Sequence, residues 1–369
     1  MLLAPTAVVV NGTPRVHHGA TPPHAAHIFI VNEIPSLSNH TTVDDPVAEY
    51  ESILARRHSS ADEIAGSLHR LRQLVLCYGV PEENTTSTTP TTTPPAGKPS
   101  IRARIWKLLL EVHHVSAQEY ISLVKMGKPE VNGTYNKIRN DTFRTMATDK
   151  RFLDVVDEDR LIRVLCAFAW KMHAPEQGGV SFTYVQGMNV LAAPFLYAMS
   201  EMDAFYSFSN FIQFCCPLYV QPLLQGVHCG IKLLEACLRA IDLELYESLQ
   251  AKRLWAELYA FPSVLTFCAC TPPLDQAMQL WDFLLAWGLH LNILCIIAQM
   301  TLIRQELLEH ASPMKLLRVF PNLDAPKIIA KTMEIIRLIP DPLYDMLVRH
   351  PFDPSVAEQF EAHVNDGTI

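Results

Sequence analysis

Charge is scarce in this sequence. Only 18% of its 369 residues are Asp, Glu, Lys or Arg, and the balance is negative at −8. No basic tract exceeds the pair Arg56-Arg57, so the dense positive surface that neutralises a phosphate backbone is missing and no nucleic-acid partner is expected. Phosphate-cradling glycine loops are lacking as well. Neither G-x-x-x-x-G-K-[ST] nor G-x-G-x-x-G occurs, so the chain does not read as a nucleotide-binding enzyme in its own right. The elbow G-x-S-x-G and the zinc helix H-E-x-x-H are absent too. Fifteen histidines invite a metal, yet pairs such as His17-His18 and His113-His114 are adjacent, and neighbours on a helix point to different faces. Neither a metal nor a cofactor of its own is expected. The nine cysteines include no C-x-x-C pair and sit mostly in apolar helical patterns, which reads as free thiols packed as small hydrophobes in a reducing, cytoplasmic setting. The start MLLAPTAVVV carries no basic residue before Arg15, so it does not resemble a secretory leader.

Strand patterning is nearly absent, with period-2 alternation confined to IFIV at 28–31. The run from Phe283 to Ile303 holds no charged residue and is long enough to span a bilayer. His290, Asn292 and Gln299 interrupt it, and Gly288 divides it, so two buried helices are expected instead of a membrane span. Apolar residues otherwise recur at helical spacing, and the fold class is all-α. Residues 1–45 are rich in Pro, Thr, His and Asn and read as a disordered N-terminal tail. Over 46–81 two helices are expected, Pro46–Arg57 and one opened by the capping box Ser60-x-x-Glu63, with Ile64, Leu68, Leu71 and Val75 on one face and Gly79 at its end. Residues 82–99 are a Thr/Pro-rich flexible insertion.

The main domain spans 100–350. Ser100 caps a helix whose face is Ile101, Ile105, Leu108, Leu109 and Val112, with Trp106 beside it. Ser116 opens a short helix that stops at Gly127, Asp157 to His173 is amphipathic, and Pro194 kinks the helix after Gly187. Further helices are expected over Val227–Ala240, Asp242–Leu249, Asp275–Trp287, Leu291–His310, Ala325–Ile336 and Leu343–Arg349. Residues 351–369 add a C-terminal helix and tail.

The stretch from Lys137 to Pro194 carries the chemistry. It holds the step Ile138-x-x-Asp141-x-x-Arg144 and, later, Tyr184-Val185-Gln186. Arginine is permanently charged and presents a planar fork of five donors, so it can neutralise charge spreading over phosphoryl oxygens in a transition state. Glutamine has an acceptor and two donors on one amide and can hold an attacking water beside a phosphate oxygen. Together they are the two side chains that complete the site of a GTPase that is slow alone. Taken singly, Asp141 and Arg144 read as a solvated surface pair and Gln186 as a helix-start residue without a role. Arg102 and Trp106 read as structural, a buried indole with an arginine stem nearby. Phe182 and Met188 read as core.

Read jointly, Arg102-x-x-x-Trp106, Ile138-x-x-Asp141-x-x-Arg144-Thr145 and Tyr184-x-Gln186-Gly187 resemble the three signature motifs of the TBC family of GTPase-activating proteins, in the right order. LDQAMQLWDFLLAWG, around Asp275, Trp281 and Asp282, resembles that family's C-terminal half. Within the family, KIRNDTFRTM, YVQGMNVLAAPFLY and ELYAFPSVLTFCACTPPLDQAMQLWD are most similar to the fungal spindle-position and mitotic-exit checkpoint subfamily. The resemblance implies a multi-helix TBC domain that acts on a small GTPase of the Ras/Rab superfamily. It implies Arg144 and Gln186 as catalytic fingers supplied in trans, Asp141 and Tyr184 as the groups that position them, and Ile138 as a structural motif residue. GTP and Mg would belong to the partner GTPase, a scaffold-like co-subunit would accompany the chain, and it would be recruited to the spindle pole. The alternatives are a Rab activator of vesicle traffic and a catalytically silent GTPase-binding adaptor.

Overall fold

Helices begin where a short polar side chain stands ahead of an apolar run. The computed structural model describes residues 43, 45–56, 60–82, 99–129, 133–173 and 184–366. Most of the tail expected over 1–45 and most of the insertion over 82–99, together with the IFIV stretch and Phe182, lie outside them. Helix α1 (Pro46–Ala55) is capped by Asp45, α2 (Ala61–Tyr78) by Ser60, α3 (Ile101–Leu109) by Ser100 and α4 (Ala117–Lys125) by Ser116. In each case the side chain accepts the backbone N–H three residues on, satisfying a donor the helix leaves orphaned. Then follow α5 (Thr134–Thr142), α6 (Lys150–Val155), α7 (Glu158–His173), α8 (Met188–Ala198), α9 (Glu201–Asn210) and a π-helical turn at Phe211–Cys215. The second half comprises α10 (Gln225–Ile241), α11 (Leu243–Ala251), α12 (Ala256–Tyr259), α13 (Phe261–Leu265), α14 (Leu274–Trp287) and α15 (Asn292–Leu302). It ends with α16 (Arg304–Glu309), α17 (Met314–Arg318), α18 (Ala325–Ile335), α19 (Asp341–Arg349) and α20 (Ser355–Asn365). No strand occurs among the described residues, and the class is all-α.

Three expectations need correction. In α2 the buried stripe is Leu71, Leu74 and Val75, whereas Ile64 is 46% exposed, because the helix projects from the body over residues 62–66 before it seats. In α3 the buried residues are Ala103, Ile105, Trp106 and Leu109. Trp106, the bulkiest side chain of the helix, takes the core-facing position and turns Leu108 outward. The helix expected over Leu291–His310 breaks at Ile303, where Arg304 turns to form ion pairs with Asp242 and Glu244.

Aromatic rings join the two halves. Trp281 of α14 meets Phe195 of α8 edge-on at 5.5 Å and stacks on Phe211 at 5.2 Å. Each such pair adds about 0.5–1.5 kcal/mol beyond the area it buries. The long apolar run divides as expected: α14 ends at Trp287, Gly288 has φ +155°, and a 3₁₀ turn leads into α15. Every residue from 280 to 300 is buried by neighbouring helices. Among the described residues no helix is long and apolar enough to cross a membrane. All nine cysteines are free, and all but Cys77 and Cys270 are buried.

Candidate functional site

The arginine comes from the C-terminal end of α5. Ile138 is fully buried there and anchors the helix, so the next turn lands in a fixed place. Asp141, one turn on, is also buried, at 6% exposure. Its carboxylate faces two ways. Oδ1 accepts from Arg144 Nη2 at 2.6 Å, and Oδ2 accepts from the Tyr184 hydroxyl at 2.9 Å. The Asp141 side chain is 8% exposed and that of Arg144 58%, so the pair has one foot in the core and one in solvent. Among the described residues this is the one side-chain hydrogen bond of Arg144, and it leaves most of the guanidinium fork free.

The glutamine comes from the turn before α8. Tyr184 is buried, Gln186 is exposed, and Gly187 follows with φ +108°, in the left-handed region. A Cβ on Gly187 would come within 2.8 Å of Leu265 Cδ2, at the end of α13, so a larger residue would strain the dihedral and push the leucine side chain aside. Burial, and after it the charge of Asp141, raises the Tyr184 phenol well above its ordinary value, so it stays a hydrogen-bond donor.

A second link joins the two segments. Asn189, 4% exposed at the start of α8, donates from Nδ2 to Thr145 Oγ1 at 2.8 Å and to the Asp141 carbonyl at 3.3 Å. Its Oδ1 accepts the Gly187 N–H at 3.1 Å, and the Thr145 hydroxyl donates to the Asp141 carbonyl at 2.9 Å. The backbone turn beside Gln186 is thereby fastened to the backbone turn beside Arg144. Sequence reasoning missed Asn189, although a lone amide opening an otherwise apolar helix was a visible signal.

Arg102 and Trp106 belong to a different place. Both converge on Asp282 of α14, which is 3% exposed. The indole Nε1–H donates to Oδ1 at 2.7 Å, and Arg102 donates through Nε and Nη2 to Oδ2 at 3.2 and 3.0 Å. Burial raises the Asp282 carboxyl above its ordinary value, with the Arg102 guanidinium and the Trp106 indole opposing it. The arginine is thus more than a stem packed against the ring: it neutralises a carboxylate carried by the C-terminal half. The signal was Asp282 itself, a single acid inside the run QLWDFLLAWG. Among the described residues no group of three or more His, Cys, Asp or Glu is placed to hold a metal ion.

The site thus offers an exposed cation and an exposed amide on two segments tied through one carboxylate and one asparagine. Comparison with known proteins matches residues 99–308 to the Rab-GTPase-TBC domain. Cell division control protein 16 of Schizosaccharomyces pombe is 46% identical over 258 residues, covering 70% of this chain and 83% of its own. The mitotic check point protein BUB2 of Saccharomyces cerevisiae is 40% identical over 297 residues, covering 79% and 94%. The crystal structure of the Ypt/Rab-GAP domain of Gyp1p superposes with a TM-score of 0.59 at 16% identity, over 79% of this chain and 97% of that one, and so shows the fold. A domain match over more than half of the chain, together with relatives this similar over most of it, means that the protein belongs to the TBC family of GTPase-activating proteins, alongside its mitotic-checkpoint members.

Proposed function

We propose that the chain accelerates GTP hydrolysis on a small Ras-like GTPase by inserting Arg144 and Gln186 into the partner's nucleotide site. Arg144 neutralises the charge that develops on the transferring γ-phosphoryl, and Gln186 orients the attacking water. GTP and Mg are the partner's, and this chain contributes residues to a site it does not itself contain. The observation that carries the reading is the Asp141 carboxylate shared by Arg144 and Tyr184. It fixes an otherwise flexible cation relative to the glutamine turn, so less rotamer entropy is lost when both engage. A surface ion pair alone contributes about 0–1 kcal/mol of stability, whereas an arginine finger contributes about 10³- to 10⁵-fold in rate, or roughly 4–7 kcal/mol of barrier.

The names of the relatives support a role in mitotic exit or spindle-position checkpoint control. With that role we place a Ras-like target, a scaffold-like co-subunit and recruitment from the cytoplasm to the spindle pole. A Rab target in vesicle traffic is the second reading, and the description of the matching domain favours it. A panel of purified Ras-like and Rab GTPases, each loaded with GTP, separates the two by which member the chain accelerates. Arg144→Ala is expected to abolish the acceleration with the melting temperature unchanged. Gln186→Ala is expected to slow it by about 10²-fold or more, the scale of losing one transition-state hydrogen-bonding group. An unaltered rate for Arg144→Ala rejects the finger assignment and leaves a silent adaptor. An unaltered rate for Gln186→Ala returns the water to the GTPase's own glutamine.

A further inference from the structure

Phe143 immediately precedes Arg144, and its side chain is in water. It is 79% exposed, and among the large apolar side chains of the described residues only Leu223, at 89%, is more so. The segment is not loose. Phe143 has helical backbone angles, φ −53° and ψ −31°, and its N–H donates to the Arg139 carbonyl at 3.3 Å. The next two turns close through Arg144 N–H to Asp141 O at 3.2 Å and Thr145 N–H to Thr142 O at 3.0 Å. Its neighbours Asp141, Thr142 and Thr145 are buried at 6, 5 and 3% exposure. The ordered end of α5 therefore presents two outward side chains side by side, one apolar and one cationic, on a buried base.

A single exposed aromatic is common and needs no explanation. Its position is what gives this one meaning. Adjacent α-carbons are about 3.8 Å apart and both side chains are exposed at the end of the helix, so a protein that receives the Arg144 guanidinium in a cleft comes within reach of Phe143. We propose that Phe143 is a docking residue: its ring seats on an apolar patch that flanks the nucleotide site of the partner GTPase. Affinity and partner choice then come from the ring, and rate comes from the arginine beside it. This rests on the GTPase-activating role proposed above and goes further by naming a determinant of partner choice. Interface hot spots of this kind are enriched in aromatic side chains seated centrally and shielded from water.

The test takes whichever GTPase of the panel the wild-type chain accelerates most and titrates it with wild type, Phe143→Ala and Phe143→Leu. Phe143→Ala is expected to raise the half-saturating concentration about tenfold, which corresponds to about 1.4 kcal/mol, with the maximal rate within about twofold. Phe143→Leu is expected to restore most of the affinity, and neither substitution should move the melting temperature. Arg144→Ala in the same assay should lose the maximal rate. Equal half-saturation for wild type and Phe143→Ala overturns the docking role and leaves the activating role standing. A wild-type chain that accelerates no member of the panel overturns both.

Discussion

Among the described residues two carboxylates are buried, Asp282 and Asp141, and each holds one arginine and one aromatic donor. Asp282 takes the Nε and Nη2 of Arg102 together with the Trp106 indole, the indole buried and the arginine mostly so. Asp141 takes a single Nη2 of Arg144 together with the Tyr184 hydroxyl, and its arginine reaches into solvent. The side chains of Arg102 and Arg144 are 17% and 58% exposed. The same three groups thus build a closed clamp in one place and an open one in the other. A closed clamp turns two nitrogens of the fork on a buried charge, and its effect is on stability. The open one holds the arginine by one tooth and leaves the rest of the fork in solvent, and under the proposed function its effect is expected on rate.

Exchanging the arginines is the strongest way to break this contrast. Arg144→Ala is expected to remove about 10³-fold or more of the stimulated hydrolysis and leave thermal unfolding unchanged. Arg102→Ala should do the reverse. It strands Asp282 inside the protein, a loss of about 3–5 kcal/mol and a fall of roughly 10 °C in the melting temperature, with stimulation per folded molecule within about threefold of wild type. Loss of stimulation by Arg102→Ala at an unchanged melting temperature would erase the distinction.

A smaller effect is expected at Asn189, which bridges the two turns of the open clamp. Asn189→Ala should lower the maximal rate about tenfold by letting Arg144 and Gln186 drift apart, and should add little once Arg144 is already alanine. Full additivity of the two substitutions, read from a double-mutant cycle, would mean that Asn189 acts on the fold alone. The smallest effect belongs to Tyr184→Phe. It deletes one hydrogen bond to Asp141 and keeps the ring, so the rate should fall by about threefold to tenfold, the range of about 0.5–1.5 kcal/mol for one such bond. A loss as large as that of Arg144→Ala would put the phenol in the chemistry itself.

Much of this was legible in the sequence because its cause is local. Ser60, Ser100 and Ser116 mark helix starts through bonds to residues three positions on. Asp141 and Arg144 share a face by helical spacing, and Gly288 announces the break in the long apolar run. What was hidden is set by distant partners. Periodicity gave α3 an apolar face but not its rotation, which depends on Trp106 finding Asp282 from 176 positions away. The break at Ile303 has neither glycine nor proline to mark it, because the cause is Arg304 reaching Asp242 across the fold. The bond from Tyr184 to Asp141 spans 43 positions and likewise follows from the packing of α5 and α7 against α8.

The contact between Gly187 and Leu265 carries a consequence for synthesis. The turn that carries Gln186 is walled at Gly187 by a leucine the ribosome delivers much later, so a nascent chain that already contains Arg144 and Gln186 still lacks one wall of that turn. Under the proposed function, stimulated hydrolysis is expected only once α13 has been made and packed against that turn.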